Sequence, residues 1–175
     1  IKPSDSSFSE LWKGRDSEVS EIHAEYLERI EWSDLKAFEQ ILNGIPEDGN
    51  LQLANSSVVR YAQLFKTSGT LTYNSNRGTS GIDGCTSTAV GAAFVNGKTT
   101  TLITGDISFF YDSNALWNKY LQPNFKIILI NNGGGGIFRF ISGPAGVEEL
   151  EEYFETVQDY KADKLAETFG LDYFY

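Results

Sequence analysis

The sequence predicts an α/β fold, a parallel sheet with helices on both faces. Three observations carry this. From Leu51 onward, short apolar runs alternate with helical segments roughly every 25 residues, the rhythm of βαβ units with right-handed crossovers. Thr100–Thr104 and Phe125–Ile130 are near-continuous apolar or β-branched runs, as in strands covered on both faces. Polar residues and glycines gather where the strands end and are scarce within them.

The elements follow in order. The first 16 residues read as polar and irregular. Val19, Ile22, Tyr26, Leu27 and Ile30 have helical spacing and predict a helix over Ser17–Ile30. Ser33 is a natural N-cap for a second helix, Asp34–Leu42, which Asn43-Gly44 and Pro46 end. Leu51–Ala54 reads as a strand, Ser57–Lys66 as a helix and Leu71–Tyr73 as a second strand. The glycine-rich Asn76–Gly81 follows, then a small-residue helix from Ile82 to Phe94 suited to close packing on a sheet. A helix over Phe109–Leu121 separates the strands Thr100–Thr104 and Phe125–Ile130. Two more helices are expected at Val147–Phe154 and near Lys161–Phe169.

Composition excludes several classes of function. At 175 residues, with 41% hydrophobic and 14% aromatic residues, the chain can bury a real core. No apolar run approaches a membrane span, and no charged-then-apolar leader opens the chain. The lone Cys85 reads as a packing residue and fits a reducing, cytoplasmic setting. Residues 1–50 hold 12 acids against 5 bases, and residues 141–175 hold 9 against 2. The centre, 51–140, holds 3 acids (Asp83, Asp106, Asp112) and 7 bases. Acidic flanks argue against nucleic acid, and the acid-poor centre suits a small anion. His23 lies among Glu21, Glu25 and Glu28 and reads as a solvated surface residue. Residues 1–48 are expected to be the tail of a preceding domain or a linker from it. Residues 49–175 are expected to form the α/β domain, present as a fragment: the chain has no methionine, begins at Ile1 and stops at Leu171–Tyr175, which reads like the beginning of a strand.

In an open α/β sheet, ligands bind beyond the carboxyl ends of the strands. Those ends carry Asn55-Ser56, Asn76-Arg77-Gly78, Gly105-Asp106-Ile107-Ser108 and Asn131-Asn132-Gly133-Gly134-Gly135-Gly136. Asp106 is the acid of the central strand ends. With the side-chain oxygen of Asn132 and a nearby backbone carbonyl, it suits a hard divalent cation. Backbone N–H groups of 105–108 and of the glycine run are then available to phosphate oxygens. The plain alternatives are that Asp106 caps a helix and that the glycines form a flexible loop.

Gly105-Asp106, with Asn131-Asn132 about two dozen residues on, resembles the signature of thiamine-diphosphate-dependent enzymes. That resemblance implies the thiamine-diphosphate-binding fold, thiamine diphosphate as cofactor, and Mg2+ (or Mn2+) on Asp106, Asn132 and the carbonyl of Gly134. The frequent glycine after Gly-Asp in that family is Ile107 here. Asn55-Ser56-Ser57-Val58-Val59-Arg60, the run Asn76-Arg77-Gly78-Thr79-Ser80-Gly81-Ile82-Asp83-Gly84, and Ile137-Phe138 narrow the resemblance further. They are similar to the family of 2-succinyl-5-enolpyruvyl-6-hydroxy-3-cyclohexene-1-carboxylate synthases of menaquinone biosynthesis.

The narrower resemblance implies a transferase that decarboxylates 2-oxoglutarate and adds the resulting carbanion to isochorismate, as a homodimer or homotetramer. Cofactor contacts are then expected from Gly105, Asp106, Ile107, Ser108, Asn132 and Gly134, with Ile82 wedged beneath the cofactor. Substrate contacts are expected from Ser56, Arg60 and Arg77, and from an apolar wall of Ile137, Phe138 and Ile141. Both substrates are dianions, which guanidinium groups can bind in a bidentate way. No catalytic residue is expected in this chain. The glutamate that activates the cofactor belongs in this superfamily to a preceding, pyrimidine-binding domain, so the chain alone is expected to be inactive. Three rivals stay open: another thiamine-dependent decarboxylase or ligase of acetolactate-synthase type, a non-catalytic anion- or metal-binding module, and a flavodoxin-like carrier.

Overall fold

A computed structural model describes residues 6–66 and 69–175. The chain divides into two compact units, Ile1–Gln40 and Ile41–Tyr175. The first holds α1 (Ser7–Arg29) and most of α2 (Asp34–Gly44). α1 starts ten residues before the expected Ser17, so the irregular N-terminal stretch is helical from Ser7. Phe8, Leu11 and Trp12 already have the i, i+3, i+4 spacing, although all three are exposed. Ser33 caps α2 as expected, its hydroxyl accepting from the Lys36 N–H at 3.4 Å. Lys36 in turn donates to the carbonyl of Leu27 at 2.7 Å and pairs with Glu39. His23 is half-buried on α1 rather than fully solvated.

The second unit is the α/β domain. Its strands are β1 (Asn50–Leu53), β2 (Thr72–Ser75), β3 (Thr100–Gly105) and β4 (Phe125–Ile130). They form one parallel sheet in the order β2-β1-β3-β4. All four carboxyl ends therefore lie along one edge, with Leu53 in register with Ser75 and Ile103, and Gly105 in register with Ile130. Every residue of β1, and β3 from Thr100 to Thr104, is buried. Successive strand residues point to opposite faces, so both faces of the sheet centre are covered. β4 was expected to be as deeply covered but is only partly buried, because it stands at the end of the strand order. The buried polar side chains of β1 are satisfied: Asn50 accepts from both Gln52 and Asn74 at 2.9 Å.

The helices depart from expectation in instructive ways. α3 (Ser57–Ala62) ends a turn earlier than Lys66. α4 (Cys85–Asn96) begins after Gly84, whose φ of +74° stops any helix from including Ile82. Cys85 is buried in its first turn, as a packing residue should be. The expected helix Phe109–Leu121 is instead α5 (Asp106–Tyr111) followed by a 3-10 turn at Ser113–Leu116. Between them, Asp112 turns its carboxylate onto the backbone N–H and hydroxyl of Ser87, both at 2.6 Å. Val147–Phe154 is not an α-helix: a π-turn covers Leu150–Glu155. α6 (Asp163–Thr168) closes with Gly170 at φ +69°, Gly170 N–H to the Glu167 carbonyl and Leu171 N–H to that of Ala166. That is the Schellman pattern, and it uses Leu171 to end a helix where a strand was expected to begin. Val90, Phe109, Ala115, Leu116 and Ala162 form a core cluster with Phe125, Ile127, Leu129 and Leu171 packed against it.

Candidate functional site

Because the sheet is parallel, Asp106 follows β3 beside the loop that follows β4. Asp106 is only 1% exposed. A buried carboxylate needs compensating donors, and its two oxygens have them. Oδ1 accepts the N–H of Ile107 at 2.6 Å. Oδ2 accepts the N–H groups of Gly133 at 2.8 Å and Gly134 at 2.9 Å, and the Gln158 amide at 2.8 Å. The Asn131–Gly135 loop is thus folded onto Asp106. Its far side is held by the 155–158 segment: the Gly135 N–H donates to the Glu155 carbonyl, and the Gln158 N–H to that of Gly133.

The glycines have a defined purpose in this geometry. Gly134 has φ +149°, and a Cβ there would lie 2.7 Å from the Glu155 carbonyl oxygen. Five of the amides read as available to phosphate have partners inside the protein: Gly133 and Gly134 on Asp106, Gly135 on Glu155, Gly136 on the Gly134 carbonyl, and Ile107 on Asp106. The glycine-run amides are thus turned inward, onto Asp106 and onto backbone carbonyls. The donor set fits a hard cation: one buried carboxylate, the side-chain oxygen of exposed Asn132, and the carbonyl of Gly134, whose N–H already touches Asp106. No group of three or more His, Cys, Asp or Glu gathers among the described residues.

The neighbouring strand ends bring other expected residues to the same edge. Arg77, after β2, is exposed, and its Nη1 donates to Asn55 Oδ1 at 2.9 Å. Ser56 initiates α3 with φ +69° and ψ −132°, a strained geometry for a residue with a Cβ and the kind that clusters at functional sites. Arg60 is exposed in the last turn of α3. Ile82 is half-buried, and its carbonyl accepts the hydroxyl of buried Ser108. Ser108, which the sequence placed at the cofactor through its amide, thus also fixes Ile82. Gly105 is the N-cap of α5.

Beyond the glycines, Ile137 is buried, Phe138 stacks edge-on with Phe154 at 5.6 Å, and Ile141 is 40% exposed. Arg139, in the same turn, is gripped by Glu155 through Nε at 2.8 Å and Nη2 at 2.6 Å, and by Glu151 at 3.2 Å. Hydrogen bonds donated to Glu155, then to Glu151, raise the guanidinium pKa above its ordinary value. Sequence reasoning missed this clamp, as it missed Gln158. Gln158 lies 52 residues from Asp106 in a polar stretch without periodicity, so no local signal marked it. Asn55 was read as a polar strand-end residue and as the first residue of a run carrying the narrower resemblance, without a role of its own.

A parallel sheet with one buried aspartate beneath a glycine loop at adjacent strand ends is the framework of a cofactor-diphosphate site. Residues 55–175 match the family described as thiamine pyrophosphate enzyme, C-terminal TPP binding domain. The chain belongs to this family, and thiamine diphosphate is its cofactor. Three relatives named 2-succinyl-5-enolpyruvyl-6-hydroxy-3-cyclohexene-1-carboxylate synthase are similar to it. The one from Flavobacterium psychrophilum is 57% identical over 148 residues, 85% of this chain and 27% of the relative. That from Christiangramia forsetii is 51% identical over 151 residues, 86% of this chain and 26% of the relative. That from Porphyromonas gingivalis is 46% identical over 174 residues, 99% of this chain and 30% of the relative. The chain thus spans under a third of the length of these relatives.

Proposed function

We propose that this chain is the diphosphate- and metal-binding part of a longer 2-succinyl-5-enolpyruvyl-6-hydroxy-3-cyclohexene-1-carboxylate synthase. Its substrates are 2-oxoglutarate and isochorismate, and its setting is cytoplasmic menaquinone biosynthesis. The observation that carries the reading is the Asp106 carboxylate, buried between the ends of β3 and β4 and bonded to the Gly133 and Gly134 amides. The likeness to relatives bearing the synthase name, 46–57% over most of the chain, supports the choice within the family.

Each residue then has a physical task. Asp106, Asn132 and the Gly134 carbonyl would hold Mg2+ (or Mn2+), which would neutralise the diphosphate, with Gly105, Ile107 and Ser108 beside it. Thiamine diphosphate, when bound, supplies the electron sink for loss of CO2 from a 2-oxo acid and for the carbon–carbon bond that follows. Ile82 supports the cofactor from below. Arg60 and Arg77, with Ser56 beside them, neutralise and orient the substrate carboxylates. Ile137, Phe138 and Ile141 present an apolar wall that keeps water from the reacting carbons. The glutamate that activates the cofactor comes from a pyrimidine-binding domain of the same longer polypeptide, across the interface of a homodimer or homotetramer.

The test is on the full-length polypeptide. Consumption of 2-oxoglutarate should require isochorismate, thiamine diphosphate and Mg2+ together. Turnover of pyruvate instead would keep the cofactor and overturn the substrates. No reaction with either would reduce the chain to a binding module.

A further inference from the structure

We propose that Asn55 is a positioning residue that sets the Arg77 guanidinium and the Ile82 peptide at once. One buried amide would then couple the substrate clamp to the cofactor support. The inference rests on the reading of Arg77 as a carboxylate clamp.

Asn55 is the second residue after β1, just past Ala54, whose N–H is still tied to the Ile103 carbonyl of β3. It is 2% exposed, so each of its polar atoms needs a partner inside the protein. An amide offers two donors and an oxygen with two lone pairs. Both donors are used: Nδ2 bonds the Asn76 carbonyl at 2.8 Å and the Gly81 carbonyl at 2.6 Å. The oxygen accepts Arg77 Nη1 at 2.9 Å and the Ser75 hydroxyl at 3.5 Å. The valence of the group is complete, and every partner lies on β2 or on the loop after it.

Two consequences follow from that wiring. Asn76 and Gly81 are the two ends of the glycine-rich loop, so a single side chain closes it. Gly81 precedes Ile82, whose own carbonyl is held from the other side by Ser108, two residues after Asp106. Ile82 therefore sits between two anchors, one from β1 and one from α5. Arg77, although exposed, has one of its five donors fixed in advance. A long side chain that is already oriented loses less rotamer freedom when it binds an anion. No carboxylate can replace the amide without losing both donors, and alanine loses all four contacts.

The experiment is a double-mutant cycle on the full-length polypeptide, reading KM for 2-oxoglutarate, kcat, and thiamine diphosphate affinity by calorimetry. Asn55→Ala should raise KM for 2-oxoglutarate about tenfold, the loss of one charge-assisted hydrogen bond, and should also weaken cofactor binding. Arg77→Ala should raise KM but leave cofactor affinity unchanged. In the Arg77→Ala background, Asn55→Ala should add little further to KM, because its route to substrate has been removed. If the alanine variant does not fold, Asn55→Ser is carried through the same cycle. KM effects that simply multiply, or an Asn55 variant with unchanged KM, would overturn the proposal. A wild-type enzyme that does not consume 2-oxoglutarate would instead overturn the synthase reading.

Discussion

Asp106 illustrates how a single side chain can be legible in sequence while its surroundings are not. Its place at a strand end and its spacing to Asn131-Asn132 were readable, because strand ends and motif spacing are local properties. Its donors were not, because Gln158 reaches it across 52 residues of chain. Gln158 supplies Oδ2 with a neutral N–H that competes with any cation seeking the same oxygen. Gln158→Ala should therefore tighten Mg2+ binding by a few-fold, the worth of about one hydrogen bond, as read by titration of the full-length protein with the metal. A weaker affinity would mean that Gln158 supports the metal instead. Gly134 is the second residue whose identity the structure explains. Gly134→Ala places a Cβ against the Glu155 carbonyl in a backbone conformation that favours glycine. It should cost about 1–3 kcal/mol in a denaturant titration, with the loop displaced from Asp106.

At the scale of elements, the strands were read more accurately than the helices. β4 has the expected limits, and β1 and β3 fall within a residue of theirs, because continuous apolar runs flanked by polar residues are an unambiguous strand signal. Helix limits depended on side chains that the pattern does not reveal. Phe109–Leu121 was expected to be continuous, but Asp112 leaves the helix to bond Ser87 near the start of α4. The acidic stretch Val147–Phe154 had the composition of a solvated α-helix, yet it adopts a π-turn whose Glu155 is buried against Arg139. Asp112 can be tested directly. Asp112→Ala removes an acceptor from two donors at the first turn of α4 and should destabilise the domain by about 2 kcal/mol, measured as a shift in the denaturation midpoint. No shift would mean that water replaces the carboxylate without cost.

Across the whole molecule, the parallel sheet was predictable because alternation of strand and helix leaves few other topologies. The covering of β3 on both faces was also legible, but the strand order and the shallower burial of β4 were not, since they depend on which strand stands at the end. The expected apolar wall is only partly enclosed, with Ile137 buried and Ile141 partly exposed. Among the described residues no helix is long and apolar enough to cross a membrane. On the proposed reading, Asp106 anchors the cofactor through a divalent cation. This anchoring is tested most directly by calorimetric titration of the full-length protein with thiamine diphosphate, with and without Mg2+, in wild type and in Asp106→Ala. Binding should require Mg2+ in wild type and be lost in the variant while the fold is retained. Equal binding by the two proteins, or binding indifferent to Mg2+, would contradict it.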